Sequence, residues 1–243
     1  MIRKIKGVLH NQIRNYMHPK FDYVLANDIQ GSKMIIKIDK DISTNNYTDV
    51  LWYSKIYEKA TTEYCKRVIK EGDVVIDVGA NLGYFTLLFS KLVGESGQVH
   101  AFEPSPLIFK LLKKNVELNG YTNVILHQKA VSNENTSMKF YINKQWHSWS
   151  SLQPRKYTEE IINVDVVTLD SLGIMPDLIK MDTEGVEYSV LCGMQNILEE
   201  QKVLKLVLEF HPEFSEFNAR GIFDILEDFN LEYMDKNLIA SKF

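Results

Sequence analysis

Val74-Val75-Ile76-Asp77-Val78-Gly79-Ala80-Asn81-Leu82-Gly83-Tyr84-Phe85-Thr86 decides the fold of this 243-residue chain. Four β-branched residues broken only by one acid read as a strand buried on both faces. Glycines at 79 and 83 permit positive φ and close backbone approach. From Phe85 the apolar positions Phe85, Leu88, Phe89 and Leu92 recur at helical spacing until Gly94. A strand that turns through glycines into a helix leaves amides open at the helix start, which makes a ligand cradle.

Outward from this unit, strand and helix alternate. A second short strand, Gln98 to Phe102, ends at Glu103, and Ser105-Pro106 is a good N-cap and N1 pair for a helix with the stripe Ile108, Leu111, Leu112 and Val116. A third strand is expected at 124–127, two more at 138–142 and 162–169, a fourth core strand at 178–181 ending at Asp182, and a fifth at 203–210. Ile222, Ile225 and Leu226 mark a last amphipathic helix. The predicted fold class is α/β: a Rossmann-like, mainly parallel sheet with helices on both faces. A β insertion at about 132–169 separates the third and fourth core strands. Residues 1–60 stand outside the alternation as an N-terminal extension, and 61–243 form the main domain.

The loop chemistry selects a ligand. A dinucleotide fingerprint needs G-x-G-x-x-G, whereas this loop reads D-x-G-x-N-x-G, with Asp77 before the first glycine and Asn81 where the second would sit. Asp77 repels a pyrophosphate and suits an ammonium group, while Glu103 at the next strand end suits a ribose diol. S-adenosylmethionine has both groups and no phosphate, so Asp77, Gly79, Asn81, Gly83 and Glu103 are expected to bind it. Tyr84 and Phe85 at the helix start and Ala130 past the third strand are placed in the same site.

The string VIDVGANLGYFT, then AFEPSP, a Ser150-Ser151 pair, KMDTEGVE from Lys180 to Glu187 and LEFH from Leu208 to His211 together resemble the FkbM-type methyltransferases over about residues 72–213. That resemblance implies a class I S-adenosylmethionine-dependent enzyme methylating hydroxyls of glycans, lipids or natural products. A nicotinamide-dependent oxidoreductase and a non-enzymatic nucleoside-binding module are the competing readings. Asp77 disfavours the first; the second leaves Asp182, Glu209 and His211 without a task. A nucleic-acid amino-methyltransferase would more often have Asp/Asn-Pro-Pro-Tyr/Phe where this chain has Asp182-Thr183-Glu184-Gly185.

Alternation along the fifth strand puts Glu209 and His211 on one face, and both belong beside Asp182 at neighbouring strand ends. These three are the catalytic candidates. His211 is suited to be the base, and Asp182 with Glu209 could instead hold a divalent cation. Glu187 is read as a favourable charge at a helix N-terminus. In the loop 143–160, Trp146, Trp149, Ser150, Ser151 and Arg155 are assigned to the acceptor, since aromatic rings stack on sugars and arginine pairs with anions.

Composition bounds the rest. Net charge is -4, hydrophobic residues are 45% and charged residues 25%, which fits a globular domain without a broad nucleic-acid footprint. Cys65 and Cys192 are expected as free thiols in a reducing, cytoplasmic setting. Arg3, Lys4, Lys6, Arg14 and Lys20 with Ile2, Ile5, Leu9, Ile13 and Tyr16 form a basic amphipathic helix. It either packs on the protein or meets an anionic membrane surface.

Overall fold

The computed structural model describes residues 23–37, 51, 54–143, 150–154, 158–212 and 218–243. Two compact units divide the chain, 1–57 and 58–243. In the first unit, β1 (Tyr23–Ile29) and β2 (Ser32–Lys37) form an antiparallel hairpin. Gln30 and Gly31 at its turn both have positive φ, 52° and 84°, which suits a tight hairpin turn. The basic stripe at residues 2–20 lies outside the described residues. Lys55 and Glu58 are left-handed, with φ 60° and 40°, and helix α1 is Lys59–Val68.

The second unit is built on a seven-stranded sheet. Its strands are β3 (Val74–Val78), β4 (Gln98–Phe102), β5 (Val124–His127), β9 (Leu178–Met181), β10 (Leu204–Glu209), β11 (Asn230–Met234) and β12 (Asn237–Lys242). Their order is β11-β12-β10-β9-β3-β4-β5. The pairs among β5, β4, β3, β9 and β10 are all parallel, and β12 runs antiparallel to both of its neighbours. Val75, Ile76, Ile179, Leu206 and Val207 are fully buried, which is why these strands read as near-continuous apolar runs.

Helices α2 (Tyr84–Val93) and α3 (Pro106–Leu118) connect strands stepping one way from β3. Helices α4 (Glu187–Cys192), α5 (Gln195–Glu200) and α6 (Ala219–Ile225) follow β9 and β10, which step the other way. Right-handed crossovers in opposite directions put the two sets on opposite faces and open a crevice at the carboxyl ends of β3 and β9.

The insertion forms its own three-stranded sheet, β6 (Ala130–Val131), β8 (Glu160–Val167) and β7 (Thr136–Ile142), in that order. Val186, just past β9, is buried in the core of that sheet with Ala130, Phe140, Ile142, Leu152, Val164 and Val166. This contact pins the insertion beside the end of β9. Both cysteines are free thiols. Among the described residues no helix is long and apolar enough to cross a membrane.

Candidate active site

Asp77 ends up inside the protein, 1% exposed, because it lies on a strand covered on both faces. Its Oδ2 accepts a hydrogen bond of 2.6 Å from the Thr86 hydroxyl, and its Oδ1 has no hydrogen-bond partner. Burial raises its pKa, against the opposing pull of Lys180 and Thr86. The loop beyond it is pressed into place from two sides. At Gly79, with φ 80°, an added Cβ would sit 1.9 Å from the Asp182 carbonyl oxygen. At Gly83, with φ 96°, it would sit 2.6 Å from a Leu112 methyl. The amides of Gly79 and Ala80 both donate to the Phe102 carbonyl, at 3.0 and 2.9 Å, so the loop folds over the end of β4.

That fold brings Glu103 to the loop. Glu103 is 7% exposed, and its two oxygens accept from the backbone amides of Asn81 (3.0 Å) and Ser105 (2.8 Å). Burial pushes its pKa up to about 7 even though both amides favour the ionised form. Asn81 is left-handed, with φ 51°, which turns its amide toward that carboxylate. Tyr84 and Phe85 are turned inward: the Tyr84 hydroxyl meets the Thr62 hydroxyl at 3.0 Å, and the Phe85 ring lies 4.6 Å from Lys180 Nζ. Ala130 is buried in the core of the insertion sheet.

A second cluster stands at the ends of β9 and β10. His211 Nδ1 is 2.9 Å from Glu187 Oε1, and its Nε2 faces Glu209 Oε1 at 3.4 Å, Asp182 Oδ1 at 3.7 Å and Glu184 Oε2 at 3.8 Å. The sheet order places β9 between the strands bearing Asp77 and Glu209, as predicted, so Asp182, Glu209 and His211 do meet. Glu184 joins them because it is left-handed, with φ 58°, and Gly185 follows at φ 101°. Burial works to lower the His211 pKa, but its bonds to Glu187 and Glu209, with Glu184 and Asp182 close by, push it up to about 11. An imidazole so surrounded holds a proton rather than taking one, which changes the base role expected from sequence. Burial raises the pKa of Asp182.

Lys180, Glu58, Lys236 and Glu187, like Glu184, had no chemical role in the sequence reading. Lys180, 2% exposed, stands 3.5 Å from Asp182 Oδ2 and opposite Asp77 in the β3–β9 register. Lys236, in the turn between β11 and β12, bridges Glu209 and Glu58, the latter at 3.2 Å. Glu187 is 1% exposed and besides opening α4 accepts from the Gly185 amide and orients His211. Of these only Lys180 and Glu187, inside KMDTEGVE, had a local signal; Glu58 and Lys236 arrive from distant parts of the chain.

Of the residues assigned to the acceptor, the Ser151 hydroxyl is buried and donates to the Glu184 carbonyl at 2.9 Å, and the Ser150 hydroxyl accepts from the Asn143 amide at 3.1 Å. Ser150 thus holds the loop together, and Ser151 ties it to the segment after β9. Trp146, Trp149 and Arg155 lie outside the described residues.

The family model described as "Methyltransferase FkbM domain" matches residues 77–234. A protein named "Methyltransferase 1" from Beauveria bassiana is 30% identical over 146 residues, which are 50% of this chain and 58% of the relative. The 31-O-demethyl-FK506 methyltransferase FkbM of Streptomyces tacrolimicus is 44% identical over 66 residues, 27% of this chain and 25% of that enzyme. The chain thus spans little more than half of the first relative and a quarter of the second. A solved S-adenosylmethionine-dependent O-methyltransferase from Thermotoga maritima shares 14% identity, with a TM-score of 0.48, and the match covers 91% of this chain and 92% of that one.

Proposed function

Because the chain belongs to the FkbM methyltransferase domain family over residues 77–234, we propose that it moves the methyl group of S-adenosylmethionine to a hydroxyl oxygen of a glycan, glycolipid or natural-product acceptor. The cluster of Asp182, Glu184, Glu209 and His211 against the glycine loop is the observation that supports this reading best. The relative from Streptomyces tacrolimicus has an O-methylation in its name.

In this reading Asp77 serves the ammonium end of the cofactor and Glu103 its ribose diol, with the loop Gly79 to Gly83 between them. The acceptor oxygen attacks the methyl carbon in line while the carbon–sulfur bond breaks, giving a methyl ether and the neutral thioether S-adenosylhomocysteine. The hydroxyl proton passes to a carboxylate of the cluster. Positioning supplies much of the rate in such a displacement, and a general base adds roughly 10²–10⁴-fold. The close approach of Gly79 to the Asp182 carbonyl sets the donor loop directly against the acid cluster.

Acceptor choice falls to the insertion loop 143–160, with Trp146, Trp149 and Arg155 as the binding side chains. Titration calorimetry with S-adenosylhomocysteine tests the donor half: Asp77→Ala and Glu103→Ala should each bind at least tenfold more weakly than wild type. Wild-type affinity in both variants would remove this site from the reading.

A further inference from the structure

We propose that Asp182, Glu184 and His211, supported by Glu209, form a binding site for one divalent transition-metal ion of the Mn2+ class. Each of the first three offers a ligand atom, and those atoms lie within 4.8 Å of one another. Ligand atoms bound at about 2.1 Å around a single ion lie about 3.0 to 3.6 Å from each other. The distances from His211 Nε2 to Glu209, Asp182 and Glu184, 3.4, 3.7 and 3.8 Å, are close to that spacing.

Two further observations point to a ligand. Glu209 is 5% exposed, turns one oxygen to His211, and leaves its Oε2 buried without a hydrogen-bond partner. The other ring nitrogen of His211 is held at 2.9 Å by the fully buried Glu187 carboxylate. That is the pattern in which a buried carboxylate fixes the ring so that the opposite nitrogen faces a metal, which displaces the proton this nitrogen otherwise holds. A second group, Glu58, Asp182 and Glu209, has its ligand atoms equally close. Lys236 already bridges two of its members and Lys180 flanks the third, so the protein supplies that cation itself.

The donor set defines the ion. One imidazole nitrogen among carboxylate oxygens suits Mn2+, Fe2+ or Zn2+ better than Ca2+ or Mg2+, which take oxygen ligands. Asp182 and Glu184 keep 23% and 17% of their side-chain surface exposed, which leaves a path for the ion to reach the buried pair behind them. The catalytic consequence rests on the O-methylation reading. A cation beside the acceptor oxygen lowers the pKa of its hydroxyl, so that a carboxylate suffices as the base.

The test is a Mn2+ titration of the chelator-stripped 243-residue chain, followed by loss of the free-ion electron paramagnetic resonance signal. One ion should bind per chain, and Glu184→Gln and His211→Ala should each weaken binding tenfold or more. Both variants should keep S-adenosylhomocysteine affinity within twofold, and Glu63→Gln, on the exposed face of α1, should bind Mn2+ as wild type does. No stoichiometric Mn2+ binding, or wild-type binding in both variants, would overturn the site. Stripped protein that still methylates a hydroxyl at full rate would overturn the metal and leave O-methylation standing. Stoichiometric Mn2+ with methyl transfer only to nitrogen would support the site and overturn the hydroxyl reading.

Discussion

His211 Nδ1 lies 2.9 Å from Glu187 Oε1, and Glu187 is 1% exposed. A buried carboxylate against an imidazole fixes which ring nitrogen faces the crevice, and it does so from the first turn of α4, a rigid support. Removing Glu187 leaves a buried ring nitrogen without its hydrogen-bond acceptor. Glu187→Ala should lower stability by about 3 kcal/mol, read as a shift in the denaturant midpoint. Glu187→Gln keeps an acceptor for the ring and should recover most of that loss. An equal loss in both variants would show that the charge, and not the orientation, is what matters.

His211→Ala removes the imidazole that orders the carboxylates of the cluster and should lower kcat by roughly ten- to a hundredfold, while S-adenosylhomocysteine affinity stays within twofold of wild type. Single-turnover kinetics with saturating donor gives the comparison. Equal losses in turnover and donor affinity would place His211 in the cofactor site instead.

Glu103 makes donor binding depend on pH. Its pKa, pushed up to about 7 by burial, leaves much of it neutral near pH 6, whereas ribose hydroxyls donate best to the ionised form. Affinity for S-adenosylhomocysteine should therefore rise as pH goes from 6 to 8, with protons released into the buffer. The ligand-free fold has the opposite sign. Because the folded pKa is raised, the contribution of Glu103 to stability is fully present below the unfolded value of roughly 4.3 and is lost as pH climbs through about 7. Calorimetry in two buffers of different ionisation enthalpy measures the proton release, and Glu103→Gln should abolish it.

Gly79→Ala should cripple donor binding. The new methyl would overlap the Asp182 carbonyl at 1.9 Å, and φ 80° is costly for alanine, so the loop must move. A stability loss of about 2 kcal/mol or more is expected, with donor affinity reduced at least tenfold. Wild-type affinity would mean that the loop geometry does not set the site.

Trp146→Ala with Trp149→Ala should raise the apparent acceptor constant severalfold and leave S-adenosylhomocysteine binding unchanged. Steady-state kinetics at saturating donor, with calorimetry alongside, separates the two. Parallel changes in both constants would make the insertion loop structural.

The parts of this site that sequence revealed are those whose signal is local. The β3 run, the glycines at 79 and 83 and the acid at 103 lie within thirty residues of one another, and each has a backbone or charge reason to be where it is. Glu209 and His211 were placed on one face because strand alternation is strict. Glu58 and Lys236 were invisible because they meet Glu209 only through topology, one at the start of α1 and the other in a turn near the end of the chain. The β11–β12 hairpin was missed for a related reason: β11 is mostly exposed, so its sequence lacks the alternation that marks a strand. The inward turn of Tyr84 and Phe85 was hidden too, since a helix start next to a cradle says nothing about which face each side chain takes.

Transfer to oxygen is the central claim, and carbon-13 NMR of the acceptor after reaction with S-adenosyl-[methyl-¹³C]methionine tests it most directly. The protein would be presented with matched hydroxyl- and amine-bearing sugars, glycolipids and polyketides. A methoxy carbon signal, with one S-adenosylhomocysteine formed per label transferred, is the expected result. Label found on an amine nitrogen while the hydroxyls stay unlabelled would contradict it.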